Sequence, residues 1–166
     1  MPATETQLFA FLDKLGIVHS TIEHPALFTV EDGRDWHDKI PGLHCKNLFL
    51  KDKKGQIWLA VMPGDKRADL NRLEKRLSAP RFSFGKPELL AEILGLTPGS
   101  VTPFGLMNDE QKRITVVLDT DMLKSEAVNF HPLRNTASTT IRAKDLVTFI
   151  EALGYTPLIE DCGAVA

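Results

Sequence analysis

The stretch Leu48-Phe49-Leu50-Lys51-Asp52-Lys53-Lys54-Gly55-Gln56-Ile57-Trp58-Leu59-Ala60-Val61-Met62 decides the fold class. Leu48 to Leu50 and Gln56 to Met62 are rich in apolar and aromatic residues, and the polar run from Lys51 to Gly55 has the composition of a turn. The two runs are therefore expected to pair as a β-hairpin. Pro63-Gly64 closes the second strand. On the other side, Cys45 stands at the entrance to the first strand, and Lys46 and Asn47 immediately precede its apolar part.

Helices flank this hairpin. Thr4-Glu5-Thr6-Gln7 fits a capping box, and Leu8, Phe11, Leu12 and Leu15 follow as an apolar stripe that Gly16 ends. Asp69 to Leu77 reads as a second helix that buries Leu70, Leu73 and Leu77 and turns Arg72, Lys75 and Arg76 outward. Pro87 to Leu94 and Ala143 to Leu153 complete the clear helices, the last ended by Gly154. Ile17 to Glu23, Arg81 to Phe84, Ile114 to Leu118 and Ser138 to Ile141 read as strands, and Thr29 to Asp38 as a short acidic helix. Thr97 to Gly105, with two prolines and two glycines, reads as an irregular connection, and Ile159 to Ala166 as a short tail. Hairpin-like strands mixed with separated helices favour a mixed α/β (α+β) sheet over a uniformly alternating parallel one. No repeat or linker divides the chain, so residues 1–166 are expected to form one domain.

The 166 residues carry a net charge of −2, with 43% hydrophobic content, enough for a sizeable core. The N-terminus does not read as a signal peptide, because acidic residues interrupt it. No apolar run approaches the roughly 18 residues of a membrane span. A cytoplasmic location is the expectation. The overall charge argues against strong nonspecific nucleic-acid binding, yet it hides an asymmetry: His44 to Lys86 holds 11 basic and 4 acidic residues between two acidic flanks. A solvated turn and an exposed helix face explain this run as readily as a binding surface does. If the charges share one face, they can follow a phosphate backbone.

Phosphate-loop, dinucleotide-binding and nucleophile-elbow motifs are absent. The five histidines show no zinc spacing; His44-Cys45 resembles a ligand pair without partners, and no metal is expected. Cys45 reads as a small packing residue rather than a thiol nucleophile. Lys46 is either a solvated edge charge or an ammonium near a phosphate or developing oxyanion, with Asn47 orienting a carbonyl, amine or water. In Asn129-Phe130-His131-Pro132 the proline holds His131 extended, which suits a pocket rim as well as a structural turn.

Several blocks then converge: Thr29-Val30-Glu31, Lys46-Asn47-Leu48-Phe49-Leu50, Pro63-Gly64-Asp65-Lys66-Arg67, Gly99 to Leu106 followed by Asn108-Asp109, and Phe130-His131-Pro132-Leu133 with Asn135-Thr136. In this order the chain resembles the free-standing prolyl-tRNA editing proteins (YbaK/ProX-like), related to the insertion domain of bacterial prolyl-tRNA synthetase. It looks most like the branch that clears alanine from proline transfer RNA. The resemblance implies a compact editing-domain fold with a central mixed, largely antiparallel sheet, and an aminoacyl-tRNA deacylase. It implies hydrolysis of the aminoacyl ester with help from a ribose hydroxyl. It makes Lys46 and His131 the catalytic-site residues and Asn47, Phe49, Thr102, Phe104, Gly105 and Asn135 candidates for the substrate pocket. Mischarged tRNA(Pro) is the expected partner, without DNA, membrane or cofactor, and prolyl-tRNA synthetase or other translation components are further candidates. Lys53, Lys54, Lys66, Arg67, Lys75 and Arg76 are candidate tRNA contacts. A cysteine-specific deacylase and an inactive tRNA-binding or synthetase-associated module are the alternatives.

Overall fold

The computed structural model describes residues 2–26, 36 and 38–164. In chain order the elements are α1 (Glu5–Lys14), β1 (Ser20–Glu23), β2 (Leu43–Asp52), β3 (Ile57–Pro63), α2 (Leu70–Arg76), β4 (Phe82–Phe84), α3 (Pro87–Leu94), β5 (Ile114–Asp119), α4 (Thr120–Lys124), β6 (Ala127–Phe130), β7 (Ala137–Arg142), α5 (Ala143–Ala152) and β8 (Leu158–Glu160). Two 3-10 turns, Pro98–Ser100 and Pro103–Asn108, occupy the proline-rich connection. The expected acidic helix of Thr29 to Asp38 falls largely outside the described residues.

The hairpin forms for visible reasons. Asp52 accepts from the backbone N–H groups of Lys54 and Gln56 and from the Trp58 indole, so one buried carboxylate organises the turn. Its first strand is longer than expected: β2 begins at Leu43, which puts Cys45, Lys46 and Asn47 inside the strand rather than before it. Backbone pairing with β3 carries these polar residues through, overriding their weak strand propensity. The α1 capping box is present as read, and the Asp69 side chain accepts from the Arg72 N–H to cap α2.

The sheet runs β1-β7-β6-β2-β3-β5-β8, with β4 joined to β2. Pairings β1–β7, β6–β7, β2–β3 and β2–β4 are antiparallel, whereas β2–β6, β3–β5 and β5–β8 are parallel. The sheet is thus mixed and only slightly more antiparallel than parallel. One side packs on α1, α3 and α5 through Leu8, Leu12, Ile93, Leu94, Phe104 and Phe149; the other packs on α2 through Leu50, Trp58, Met62 and Leu73. The expected C-terminal tail instead adds β8 to the sheet edge, and Gly163 bridges to Ala68. Three residues with half-exposed side chains gave that strand no alternation to read.

Candidate functional site

Strand β2 is shared by two sheet segments, and its outer edge changes partner along its length. Pairing with β6 ends at His44↔Asn129, and pairing with β4 begins at Leu50↔Phe84. The Gly85 N–H donates to the Phe49 carbonyl, so the opening along this edge spans residues 45–48. The Gly64 N–H bonds the His44 carbonyl and the Asp52 N–H bonds the Gln56 carbonyl, so the even-numbered residues of β2 direct their backbone groups to β3. By the alternation of an antiparallel ladder, Asn47 directs its N–H and C=O into the opening.

Lys46 and Asn47 flank the opening from opposite sheet faces, because successive side chains alternate. Lys46 is half-buried and has no ion-pair partner among the described residues. The Asn47 Nδ2 donates to the Val101 carbonyl at 3.1 Å, in the proline-rich connection. That bond fixes which end of the amide is oxygen, and Asn47 Oδ1 is left buried without a hydrogen-bond partner. A buried orphan acceptor costs about 1–3 kcal/mol, so its persistence asks for an explanation at a site where a ligand donor would satisfy it.

His131 follows β6 directly. The parallel pairing Leu43↔Val128 and His44↔Asn129 ends two residues before Lys46 and two before His131, so both follow directly where the strands part. Its Nδ1 donates to the Ala137 carbonyl at 2.9 Å, which leaves Nε2 as the ring's lone-pair acceptor. Burial lowers the His131 pKa below its ordinary value, against the Ala137 bond and with a smaller contribution from His24, so the ring is neutral at neutral pH. The turn behind it is anchored. Leu133 has φ of 70° while its side chain packs on the core, and Arg134 binds Glu5 and Glu23, tying the turn to α1 and β1. For a bulky residue this left-handed backbone costs energy, and it is held by the contacts around it.

The sequence reading missed His24 and Ser138. His24 is buried, donates from Nδ1 to the Pro25 carbonyl and accepts at Nε2 from the Ser138 hydroxyl at 2.8 Å. Its ring lies 6.0 Å from that of His131 and 5.7 Å from that of Trp36, over which Lys39 places its ammonium at 4.7 Å. A signal was available: His24-Pro25 and His131-Pro132 are the two histidine-proline pairs of the chain.

Other expected site residues have structural roles. Phe49 is 5% exposed and packs in the core. Phe104 is fully buried, edge-on to Phe130 and Phe149, and Thr102 is fully buried, with its hydroxyl accepting from the Phe104 N–H. All three side chains pack in the core. A Cβ on Gly105 would stand 2.6 Å from Leu96 Cδ1, so the glycine makes room for a core leucine. Asn135 is half-buried in the His131 turn.

The basic run does not form one stripe. Lys53 and Lys54 lie on the β2–β3 turn, while Lys66 and Arg67 follow the opposite end of β3. Lys66 bonds Asp119, Asp121 and Asp161 at 2.9, 2.9 and 2.7 Å and stands at the centre of an ion network. Arg76 pairs with Glu160, whereas Arg67 and Lys75 are exposed without carboxylate partners among the described residues. Burial, reinforced by Asp119, pushes the Cys45 thiol up to about 12. It is therefore a packed thiol rather than a nucleophile. No group of three His, Cys, Asp or Glu side chains among the described residues is arranged to hold a metal ion, and no described helix is long and apolar enough to cross a membrane.

Comparison with known proteins converges on one family. A profile described as the aminoacyl-tRNA editing domain matches residues 24–149. The chain is 37% identical over 155 residues to the zebrafish (Danio rerio) prolyl-tRNA synthetase associated domain-containing protein 1, covering 92% of this chain and 84% of that one. It is 35% identical over 150 residues to the prolyl-tRNA editing protein ProX of Acetoanaerobium sticklandii, covering 90% and 92%. A crystal structure described as a candidate trans-editing enzyme for prolyl tRNA synthetase superposes with a TM-score of 0.73 at 20% identity, over 99% of this chain and all of that one, and shares its fold.

Proposed function

The chain belongs to the aminoacyl-tRNA editing domain family, and from that premise we propose that it hydrolyses the ester of alanine mistakenly attached to tRNA(Pro). The observation that carries the reading is the open edge of β2, with Lys46 on one face, the orphan Asn47 oxygen on the other and His131 just past the end of β6. A substrate end laid in that opening meets one cation and two acceptors.

Water adds to the ester carbonyl, the bond to the ribose oxygen breaks, and that oxygen takes up a proton given up by the water, releasing alanine and a transfer RNA with its hydroxyl restored. Lys46 stabilises the negative charge that builds on the carbonyl oxygen. Asn47 Oδ1 accepts from the α-ammonium of the amino acid. The His131 Nε2 lone pair positions the attacking water or the terminal ribose hydroxyl that assists it. The family resemblance supports that ribose assistance. Discrimination against proline is a matter of room, because a ring that clashes is rejected more sharply than a missing contact would allow. A synthetase that binds proline cannot in turn exclude a smaller side chain well, which gives a second sieve its use. The names of the relatives support prolyl-tRNA synthetase as a partner.

The test is release of amino acid from alanine-, cysteine- and proline-charged tRNA(Pro) by the purified chain. Alanine leaves fastest and proline stays. Preferential release of cysteine makes the chain a cysteine deacylase, and binding without release makes it a synthetase-associated module. Lys46→Ala is expected to reduce turnover more than neutralising Lys53, Lys54 or Lys75 singly, whose effects are distributed and salt-sensitive.

A further inference from the structure

His24 and Ser138 are buried, at 6% and 5% exposure, and neither takes part in the proposed chemistry. We infer that His24 is a positioning residue for the editing reaction: it grips the start of β7 on both sides of Ala137, and through the Ala137 carbonyl it holds the His131 ring in the tautomer that leaves Nε2 as acceptor. The inference rests on the editing reading and adds to it a residue that acts through His131 without touching substrate.

Three consecutive residues carry the connection. The His24 N–H donates to the Thr136 carbonyl at 3.0 Å, the His131 Nδ1 donates to the Ala137 carbonyl at 2.9 Å, and the Ser138 hydroxyl donates to His24 Nε2 at 2.8 Å. His24 thus fastens the residue before Ala137 by its backbone and the residue after it by its ring. Ala137 itself is fully buried and is the cross-strand partner of Glu23, the neighbour of His24. Its carbonyl therefore has little freedom to leave the His131 ring. The two rings also meet, with centroids 6.0 Å apart and planes at 59°, so His24 stands beside the His131 ring as a wall.

The hydrogen bonds of the two histidines separate their tasks. Each directs its Nδ1–H to a carbonyl, Pro25 for His24 and Ala137 for His131. Carbonyls only accept, so each ring keeps its lone pair on Nε2. In His24 that lone pair is taken by Ser138, whereas among the described residues none donates to His131 Nε2. The arrangement that lets His131 hold a water or a ribose hydroxyl removes His24 from that role.

Stability alone does not call for this pair. A buried histidine and serine can be exchanged for two apolar side chains at little or no cost, because both partners leave together. Pro25 is exposed, so its carbonyl finds water when the imidazole is gone. The segment is held from its other end as well: Arg134 donates to the Thr136 hydroxyl at 2.7 Å and is paired with Glu5 and Glu23. A turn fastened at both ends around the left-handed Leu133 fixes the one carbonyl that orients His131.

The experiment compares the full chain with His24→Ala, Ser138→Ala, His24→Gln and the apolar pair His24→Leu with Ser138→Ala, each checked by its unfolding curve. NMR of the ring nitrogens in isotope-labelled protein reads the His131 tautomer without substrate, and deacylation of alanine-charged tRNA(Pro) reads kcat and KM. In the parent, His131 is a single Nδ1–H tautomer. In His24→Ala and in the apolar pair the Nε2–H tautomer becomes populated, kcat falls about ten- to a hundredfold and KM stays within about twofold, as for an interaction made only in the transition state. Ser138→Ala gives the same pattern more weakly, and His24→Gln, whose Oε1 can accept from Ser138, recovers most of both readouts. An unaltered tautomer in the apolar pair overturns the inference, as does an unaltered kcat per folded molecule with only a lowered unfolding midpoint. So does a raised KM with kcat kept, which would make His24 a substrate contact. A parent that deacylates nothing, with a His131 tautomer still dependent on His24, would sink the editing reading and leave the tether standing.

Discussion

Replacing Asn47 with alanine should separate function from stability. In the folded chain Asn47 donates one hydrogen bond to Val101 and keeps Oδ1 buried without a partner. Losing the bond costs about 0.5–1.5 kcal/mol, and Val101 is half-buried, so water can reach its freed carbonyl. Removing the orphan oxygen returns about 1–3 kcal/mol of desolvation. The net change in unfolding free energy therefore runs from a loss of about 0.5 to a gain of about 2.5 kcal/mol, with modest stabilisation the expected sign. Activity should move far more. If Oδ1 receives the substrate ammonium, a charge-assisted bond of about 1.5–3 kcal/mol disappears, which is about 10- to 150-fold in kcat/KM. Urea unfolding followed by tryptophan fluorescence, beside deacylation of alanine-charged tRNA(Pro), measures both quantities. A stability loss above about 3 kcal/mol with unaltered kcat/KM would refute the reasoning, because the side chain would then be purely structural.

The His131 ring should titrate below the ordinary 6.5. An NMR midpoint at or above 6.5 would contradict the buried, neutral ring. Its unfolded counterpart takes up a proton first as pH falls, so the stability contributed by this group is present above 6.5 and is lost as pH drops through the folded pKa. Cys45→Ala should leave deacylation essentially intact, and iodoacetamide should modify Cys45 slowly in the folded chain, since its thiol is pushed up to about 12; rapid inactivation by the reagent would revive the thiol nucleophile. Lys66→Met should destabilise by about 2–4 kcal/mol, because the fully buried Asp119 would lose its cation, with some relief from the 17% exposure of Lys66. Lys66 also holds the Asp161 carboxyl at about 2, so that group's contribution is present above its ordinary 3.8 and is lost as pH falls toward 2. A Lys66→Met chain as stable as the parent in urea would show the network to be unimportant.

Local signals were the legible ones. The capping box at Thr4, the apolar spacing of Leu70, Leu73 and Leu77, the polar turn after Leu50 and the apolar run of β5 each act within a few residues, and each element formed where its signal stood. Short elements held by distant partners were not legible. β6 and β8 exist because β2, β7 and β5 offer them edges, and α4 is a single capped turn organised by Asp119. The site divides in the same way. Lys46, Asn47 and His131 were named from motif blocks, but the opening that brings them to one edge follows from a change of strand partner along β2. Phe49, Phe104 and Gly105 were named from their motifs, and what tertiary structure adds is that all three are buried, which no local signal showed. Lys66 counted as a free positive charge until tertiary structure set three carboxylates around it.

The most direct measurement is release of labelled alanine from alanine-charged tRNA(Pro), comparing the parent chain with Lys46→Ala confirmed as folded by its unfolding curve. The account predicts rapid release by the parent, a loss of at least about a hundredfold in the variant as transition-state charge goes unstabilised, and proline-charged tRNA(Pro) left intact. Equal release by the two proteins, or none by the parent, would contradict it.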